Sequence, residues 1–253
     1  MAPLVMGVLN VTPDSFSDGG RYLDRQRAIA HGLALVAEGA DVVDVGGEST
    51  RPGAAPVAED EERARVVPVV AALAPHVRVS VDTSKASVAR AALEAGATLV
   101  NDVSASLHPV VAGTGAGWVA MHMQGTPASM QDAPAYGDVV AEVRRFLVER
   151  AEEAAAAGVG EVWIDPGIGF GKRPEHNLSL LRHLDALVGT GFPVVVGTSR
   201  KSFLGLLAGG AGADDRLEGS VATATLAMVA GASMVRVHDV AATAAAVRLL
   251  GAA

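Results

Sequence analysis

The stretch Arg236-Val237-His238-Asp239 carries two groups able to grip an anion, two residues apart in an apolar run. Met234, Val235 and Val237 read as a buried strand, and Arg236 and His238 alternate with them so as to point together to its other side. Three further polar residues end apolar runs: Asp82, Asn101 and Asp165. Two carboxylates and an amide suit a flat heterocycle with adjacent N–H donors, because one carboxylate accepts two parallel hydrogen bonds from an amino group and a ring N–H. The alternative for each is to cap the helix that follows, most plainly for Asp82 before Thr83-Ser84-Lys85.

Lys201, in Gly197-Thr198-Ser199-Arg200-Lys201-Ser202, could donate to acceptors on the same ring while Ser199 or Arg200 reaches an anion; the alternative is a solvated basic turn. Asn10 with Asp14 and Asp18 forms a possible site for a hard cation. A Mg²⁺ there would arrive on a substrate diphosphate and keep several waters. The competing reading is an Asx/Pro turn over Thr12-Pro13-Asp14-Ser15. Other polar features read as structural. Glu59-Asp60-Glu61-Glu62 suits the first turn of a helix, and residues 165–172 are Gly-rich but lack the spacing of a phosphate-binding P-loop, so they read as a rim turn. His31 and His76 fall in helical surroundings, and His122 faces either core or rim.

The elements that must position these groups repeat along the chain. Apolar runs at residues 4–12, 42–47, 77–83, 98–104, 118–123, 161–167, 193–199 and 234–239 alternate with Ala-rich stretches. Continuous apolarity, rather than period-two alternation, predicts parallel strands covered on both faces. Helical spacing links Ile29, Leu33 and Val36; Val66, Val70 and Leu73; Val139, Val143 and Phe146; and Leu180, Leu184 and Leu187. Gly39, Gly96 and Gly231 are placed to stop helices in the left-handed conformation. Eight such units predict an α/β fold of the TIM type, a (β/α)₈ barrel forming one domain over residues 1–253. The fourth unit, with Pro109, Gly113, Gly115 and Gly117, predicts a short or irregular helix. Active sites of this fold lie at the C-terminal ends of the strands, which is where the candidate residues fall.

Composition narrows the partners. A formal net charge of −8 over 253 residues argues against a broad nucleic-acid or anionic-membrane surface. The absence of cysteine excludes disulfides, a thiol nucleophile and a Cys-based metal centre. With no signal-peptide pattern and no apolar run of spanning length, a cytoplasmic protein acting on small molecules is expected.

Taken in order, the motifs Gly7-Val8-Leu9-Asn10-Val11-Thr12-Pro13-Asp14-Ser15-Phe16-Ser17-Asp18-Gly19-Gly20, Asp44-Val45-Gly46-Gly47-Glu48-Ser49-Thr50-Arg51-Pro52-Gly53, Asp82-Thr83, Asn101-Asp102-Val103-Ser104, Met121-His122-Met123, Asp165-Pro166-Gly167-Ile168-Gly169-Phe170-Gly171-Lys172, Ser199-Arg200-Lys201 and Arg236-Val237-His238-Asp239 resemble the dihydropteroate synthase family. The resemblance implies a transferase that condenses 6-hydroxymethyl-7,8-dihydropterin diphosphate with p-aminobenzoate, releasing diphosphate and giving 7,8-dihydropteroate. It implies that Asp82, Asn101, Asp165 and Lys201 hold the pterin, with Met121, Phe170 and Gly197 lining its pocket. Asn10, Arg236 and His238 would hold the diphosphate, and Asn10 its Mg²⁺. Thr50, Arg51 and Pro52, with Phe16, Ser17, Asp18 and Ser202, would shape the p-aminobenzoate site, which sulfonamides occupy in this family. The catalytic set would be Asp82, Asp165, Lys201, Arg236 and His238, in a homodimer joined through the last helices. Alternatives are a catalytically silent pterin-binding paralogue, and a pterin-binding methyltransferase domain, which would need a cobalamin partner and leaves Arg236 with His238 unexplained.

Overall fold

Residues 2–12, 21–49, 55–127 and 129–252 are described in a computed structural model of the chain. The strands are β1 (Leu4–Asn10), β2 (Val42–Gly46), β3 (Arg78–Asp82), β4 (Leu99–Asp102), β5 (Gly117–Met121), β6 (Glu161–Asp165), β7 (Val195–Val196) and β8 (Met234–Val237). All paired neighbours are parallel, in the order β6-β5-β4-β3-β2-β1-β8-β7. A single bridge between Ile164 and Val194, with the Ile164 amide donating to the Pro193 carbonyl at 3.0 Å, joins the two ends of the order into a nearly closed barrel.

The helices between them are α1 (Arg21–Glu38), α2 (Glu59–Leu73), α3 (Ala86–Glu94), α4 (His108–Val111), α5 (Val139–Ala156), α6 (Pro174–Arg182), α7 (Asp185–Val188), α8 (Ser202–Leu207), α9 (Leu217–Val229) and α10 (Val240–Ala252). The predicted glycine stops hold: Gly39, Gly96 and Gly231 have φ of 107°, 108° and 101°. The fourth helix is one turn, as expected. The last periodic stretch divides into α6 and α7, although Leu180, Leu184 and Leu187 are all fully buried. On α1 the expected inward residue Leu33 is 38 % exposed, and Ala28 and Leu35 face the core instead. Gly32 explains the rotation, since a Cβ there would stand 2.6 Å from Leu73, so α1 and α2 touch backbone to side chain.

Two apolar layers result. The outer one lies between strands and helices and includes Val43, Val45, Val81, Val100, Trp118 and Ile164. The inner one fills the lower barrel with Met6, Val42, Leu99, Val119, Trp163, Val195 and Met234. Each such side chain contributes about 1.5–3 kcal/mol on leaving water, so the barrel floor is a packed plug.

Several strands are shorter than the apolar runs imply. After β4 the Asp102 carboxylate accepts from the amides of Ser104 and Ser106 at 2.9 and 2.7 Å and of Leu107 at 2.6 Å, which curls the chain out of the sheet. The seventh run keeps only Val195 and Val196 in the ladder, paired with β8.

Candidate active site

The side-chain alternation of the strands builds the site directly on the inner apolar layer. Two residues beyond Val42, Leu99, Val119, Trp163, Val195 and Met234 come Asp44, Asn101, Met121, Asp165, Gly197 and Arg236, which therefore face the same interior. Asp82 stands likewise two residues after the buried Ser80, and Asn10 four after Met6. His238 follows β8 in the same alternation. Strands rather than loops thus set these positions. Asp82 is not a helix cap, because α3 begins after Lys85 without a side-chain capping bond.

Arg236 does not stand at the rim with an open fork, as expected for an anion grip. Its Nε donates to Asp44 Oδ2 at 2.6 Å and its Nη2 to Asp82 Oδ2 at 2.8 Å, while Asn101 Nδ2 donates to the same Asp44 oxygen at 3.0 Å. The guanidinium is drawn down because two carboxylates in the barrel interior need a counter-charge. The second oxygens, Asp44 Oδ1 and Asp82 Oδ1, are buried without a hydrogen-bond partner. Unpaired buried acceptors are rare.

Charge tuning follows from this crowding. Burial pushes the Asp82 carboxyl up to about 7, with Arg236 opposing and Asp44 reinforcing the rise. Burial also raises Asp165, against the pull of Lys201 and of the Gly167 amide, which donates to Asp165 Oδ1 at 2.7 Å. Lys201 is lowered to about 8 by burial, Asp165 acting to hold its proton. Its ammonium donates to the Ile168 carbonyl and lies 4.1 Å from the centre of the half-buried Phe170 ring.

At the ends of β7 and β8, Ser199 Oγ accepts from the His238 amide at 3.1 Å and pairs with His238 Nδ1 at 3.1 Å. Arg200 is engaged by a neighbouring carboxylate: its Nη2 and Nε donate to Asp239 Oδ1 and Oδ2 at 2.6 and 3.1 Å. That pair holds Arg200 at φ 59°, a left-handed conformation costly for a residue with a Cβ, and Arg216 Nη1 clasps the Arg200 carbonyl at 2.9 Å. Ser202 is exposed at the start of α8.

Asp14, Phe16, Ser17 and Asp18 of the first loop, and Thr50, Arg51 and Pro52 of the second, lie outside the described residues. The two flanks of the second loop are tied together: Glu48 Oε2 accepts from the Val57 amide at 2.7 Å, and Lys85 donates to Glu48 and to the Val57 carbonyl. The same ammonium reaches Glu62, which is 1 % exposed and takes the Thr83 hydroxyl at 2.7 Å. Glu62 thus stands in the acidic first turn of α2, as expected, and also belongs to a buried network.

Among the described residues no three His, Cys, Asp or Glu side chains come together to hold a metal. Asn10 is half-buried at the mouth, and a Cβ at Gly46 would lie 3.8 Å from its Oδ1 and 3.5 Å from Asp82 Cβ. One amide oxygen fits an ion that brings its own anionic ligands and waters.

Sequence reasoning found no partner for Asp44, Lys172, Glu62 or Asp239, and left His122 facing either core or rim. Asp44 had a signal, a carboxylate inside Val42-Val43-Asp44-Val45, where an apolar run rarely hides a charge without a partner. The others are pairings between distant residues, which no local pattern displays.

A parallel barrel with carboxylates, an amide and two cations converging at one mouth defines an α/β-barrel enzyme that takes a polar ring. Residues 6–238 match the family described as pterin binding enzyme. The dihydropteroate synthase of Mycobacterium leprae (strain TN) is 52 % identical over 267 aligned positions, covering 100 % of this chain and 94 % of that protein. A solved Xanthomonas albilineans dihydropteroate synthase with 4-aminobenzoic acid superposes with a TM-score of 0.92 at 50 % identity, covering 99 % of this chain and 92 % of the other. Another from that organism, in complex with 7,8-dihydropteroate, gives a TM-score of 0.89 at 46 % identity, with coverage of 99 % and 93 %. The chain belongs to the pterin-binding enzyme family, in its dihydropteroate synthase branch.

Proposed function

We propose that the chain is the transferase that joins 6-hydroxymethyl-7,8-dihydropterin diphosphate to p-aminobenzoate, with loss of diphosphate. The observation that carries the reading is the convergence of Asp82, Asn101 and Asp165, at the ends of their strands, on a mouth that also holds the Lys201 ammonium. Asp82 accepts from the amino group and ring N–H of the pterin, braced by Arg236 and Asp44 beneath it, and Lys201 donates to the ring's acceptor edge. Asn101 and Asp165 complete the hydrogen bonding, and Met121, Phe170 and Gly197 supply the walls.

The bond from the exocyclic methylene to diphosphate breaks, the bond to the arylamine nitrogen forms, and the proton shed by that nitrogen passes to water or to the released diphosphate. Positive charge developing over the pterin is stabilised by Asp82 and Asp165, acceptors fixed by the strands that end in them. Asn10 and His238 meet the departing diphosphate, and Arg236 contributes charge from beneath rather than a direct grip. Asn10 would hold a Mg²⁺ brought in with the diphosphate, and the ion would supply charge neutralisation on the leaving group. Phe16, Ser17, Asp18, Thr50, Arg51, Pro52 and Ser202 form the p-aminobenzoate side, where a sulfonamide competes.

The chain works as a cytoplasmic homodimer; no described helix is long and apolar enough to cross a membrane. Leu226, Val229 and Leu249, exposed on α9 and α10, support a subunit contact through the last helices. The relatives' names favour synthesis over a methyltransferase or a silent copy. A coupled assay for diphosphate release decides: release requiring both substrates is expected, and none with both present would leave a silent pterin-binding copy.

A further inference from the structure

Lys172, which closes the Gly-rich run after β6, is 3 % exposed. Its Nζ faces four acceptors: His122 Nδ1 at 2.9 Å, the His122 carbonyl at 3.2 Å, and the Gly167 and Phe170 carbonyls at 3.0 Å each. An ammonium has three protons and no lone pair, so a cation sharing one proton matches this all-acceptor cage. Burial pushes Lys172 down to about 7 while Asp165 helps hold its proton. His122 is kept neutral by burial and by Lys172, its pKa falling to about 3. Opposite the protonated amine, Nδ1 of the neutral ring is the acceptor. That ring is packed edge-on to Phe146 at 5.1 Å.

The loop from Gly167 to Gly171 lies flat on the chain leaving β5. A Cβ at Gly167 would stand 1.8 Å from the His122 carbonyl oxygen, and one at Gly171 2.3 Å from that of Gln124. No side chain can fit between the two segments. Tyr136 fastens the far end, its hydroxyl donating to the Gly171 carbonyl at 2.8 Å. The near end carries the groups that meet Lys201, namely the Ile168 carbonyl and the Phe170 ring.

We propose that Lys172 is a positioning residue of the pterin pocket: sealed behind the site, it pins the loop after β6 to β5 and so sets where Phe170, the Ile168 carbonyl and Lys201 stand. It touches no ligand. Its removal strands three carbonyls and a ring nitrogen in a buried space and releases Phe170. The effect falls on the pterin half of the mouth, because the flanks of the second loop, to which Thr50, Arg51 and Pro52 belong, are tied separately by Lys85 and Glu48. This rests on the proposed function.

The test uses Lys172→Met and the milder His122→Phe, which keeps the ring packing but deletes one acceptor. For each, equilibrium binding of 6-hydroxymethyl-7,8-dihydropterin is measured beside KM for p-aminobenzoate and kcat. About tenfold or greater loss of pterin affinity is expected for Lys172→Met, with KM for p-aminobenzoate within about twofold, as small displacements of binding groups act locally. A smaller loss of the same pattern is expected for His122→Phe, which decides the matter if Lys172→Met does not fold. Unchanged pterin binding in a folded variant, or equal losses for both substrates, would overturn the positioning role. Failure of the parent protein to bind pterin would overturn the functional reading itself.

Discussion

Arg236 neutralises Asp44 and Asp82 together, so its value is set by what its loss would strand. Arg236→Ala leaves two facing carboxylates in a closed space and should lower unfolding free energy by about 3–5 kcal/mol in chemical denaturation. Arg236→Lys should recover only part of this, since an ammonium cannot span both acids as a fork. Asp82 makes a separate prediction. Its folded pKa of about 7 lies above the ordinary 3.8, so the folded state holds the proton more tightly and this group's contribution to stability falls as pH rises between those values. The free-energy difference between Asp82→Asn and the parent should therefore move in the variant's favour from pH 4 to pH 7. A constant difference would mean that Arg236 keeps the carboxylate ionised throughout. Asp82, Asn101, Asp165 and Arg236 were readable as polar residues ending apolar runs, but the ion pairs among them were not. Those pairs depend on strands far apart in sequence lying face to face, 192 residues apart for Arg236 and Asp44.

The loops after β7 and β8 act as one element because Arg200 and Asp239 latch them. Ser199 and Lys201 flank Arg200, so the latch transmits directly to both. Arg200→Ala and Asp239→Ala should each lower kcat/KM for the pterin diphosphate about tenfold, and the double variant should be no worse than either, the mark of residues acting as a unit. Losses that multiply would show independent roles. Element existence was legible because helix stops and buried parallel strands leave strong local marks, as the φ values of Gly39, Gly96 and Gly231 attest. Element ends were less so. The apolar run around β4 continues past Asp102, and only the capture of three amides by that one carboxylate ends the strand. On α1, Gly32 turned the helix because Leu73 occupies the space a side chain would need, a fact held by α2 and not by the α1 pattern.

At the scale of the molecule, the barrel was foreseeable from eight repeating units, but its unequal closure was not. Seven of the eight strand junctions are ladders, while β6 meets β7 through the Ile164–Val194 bridge. Asp165 ends the strand on one side of that junction, and Gly197 and Lys201 follow the strand on the other. A pterin held by both would act as a rivet across the weakest seam of the ring, coupling occupancy to the integrity of the whole cylinder. Hydrogen exchange offers the check: the Ile164, Val195 and Val196 amides should exchange faster than those of β2 and β3 in the free protein, and slow most on adding pterin. Uniform slowing across all eight strands would indicate a barrel already closed. The same seam makes the ligand a structural member of the protein, so an inhibitor that fills the pocket without spanning from Asp165 to Lys201 would block the site yet leave the ring unfastened.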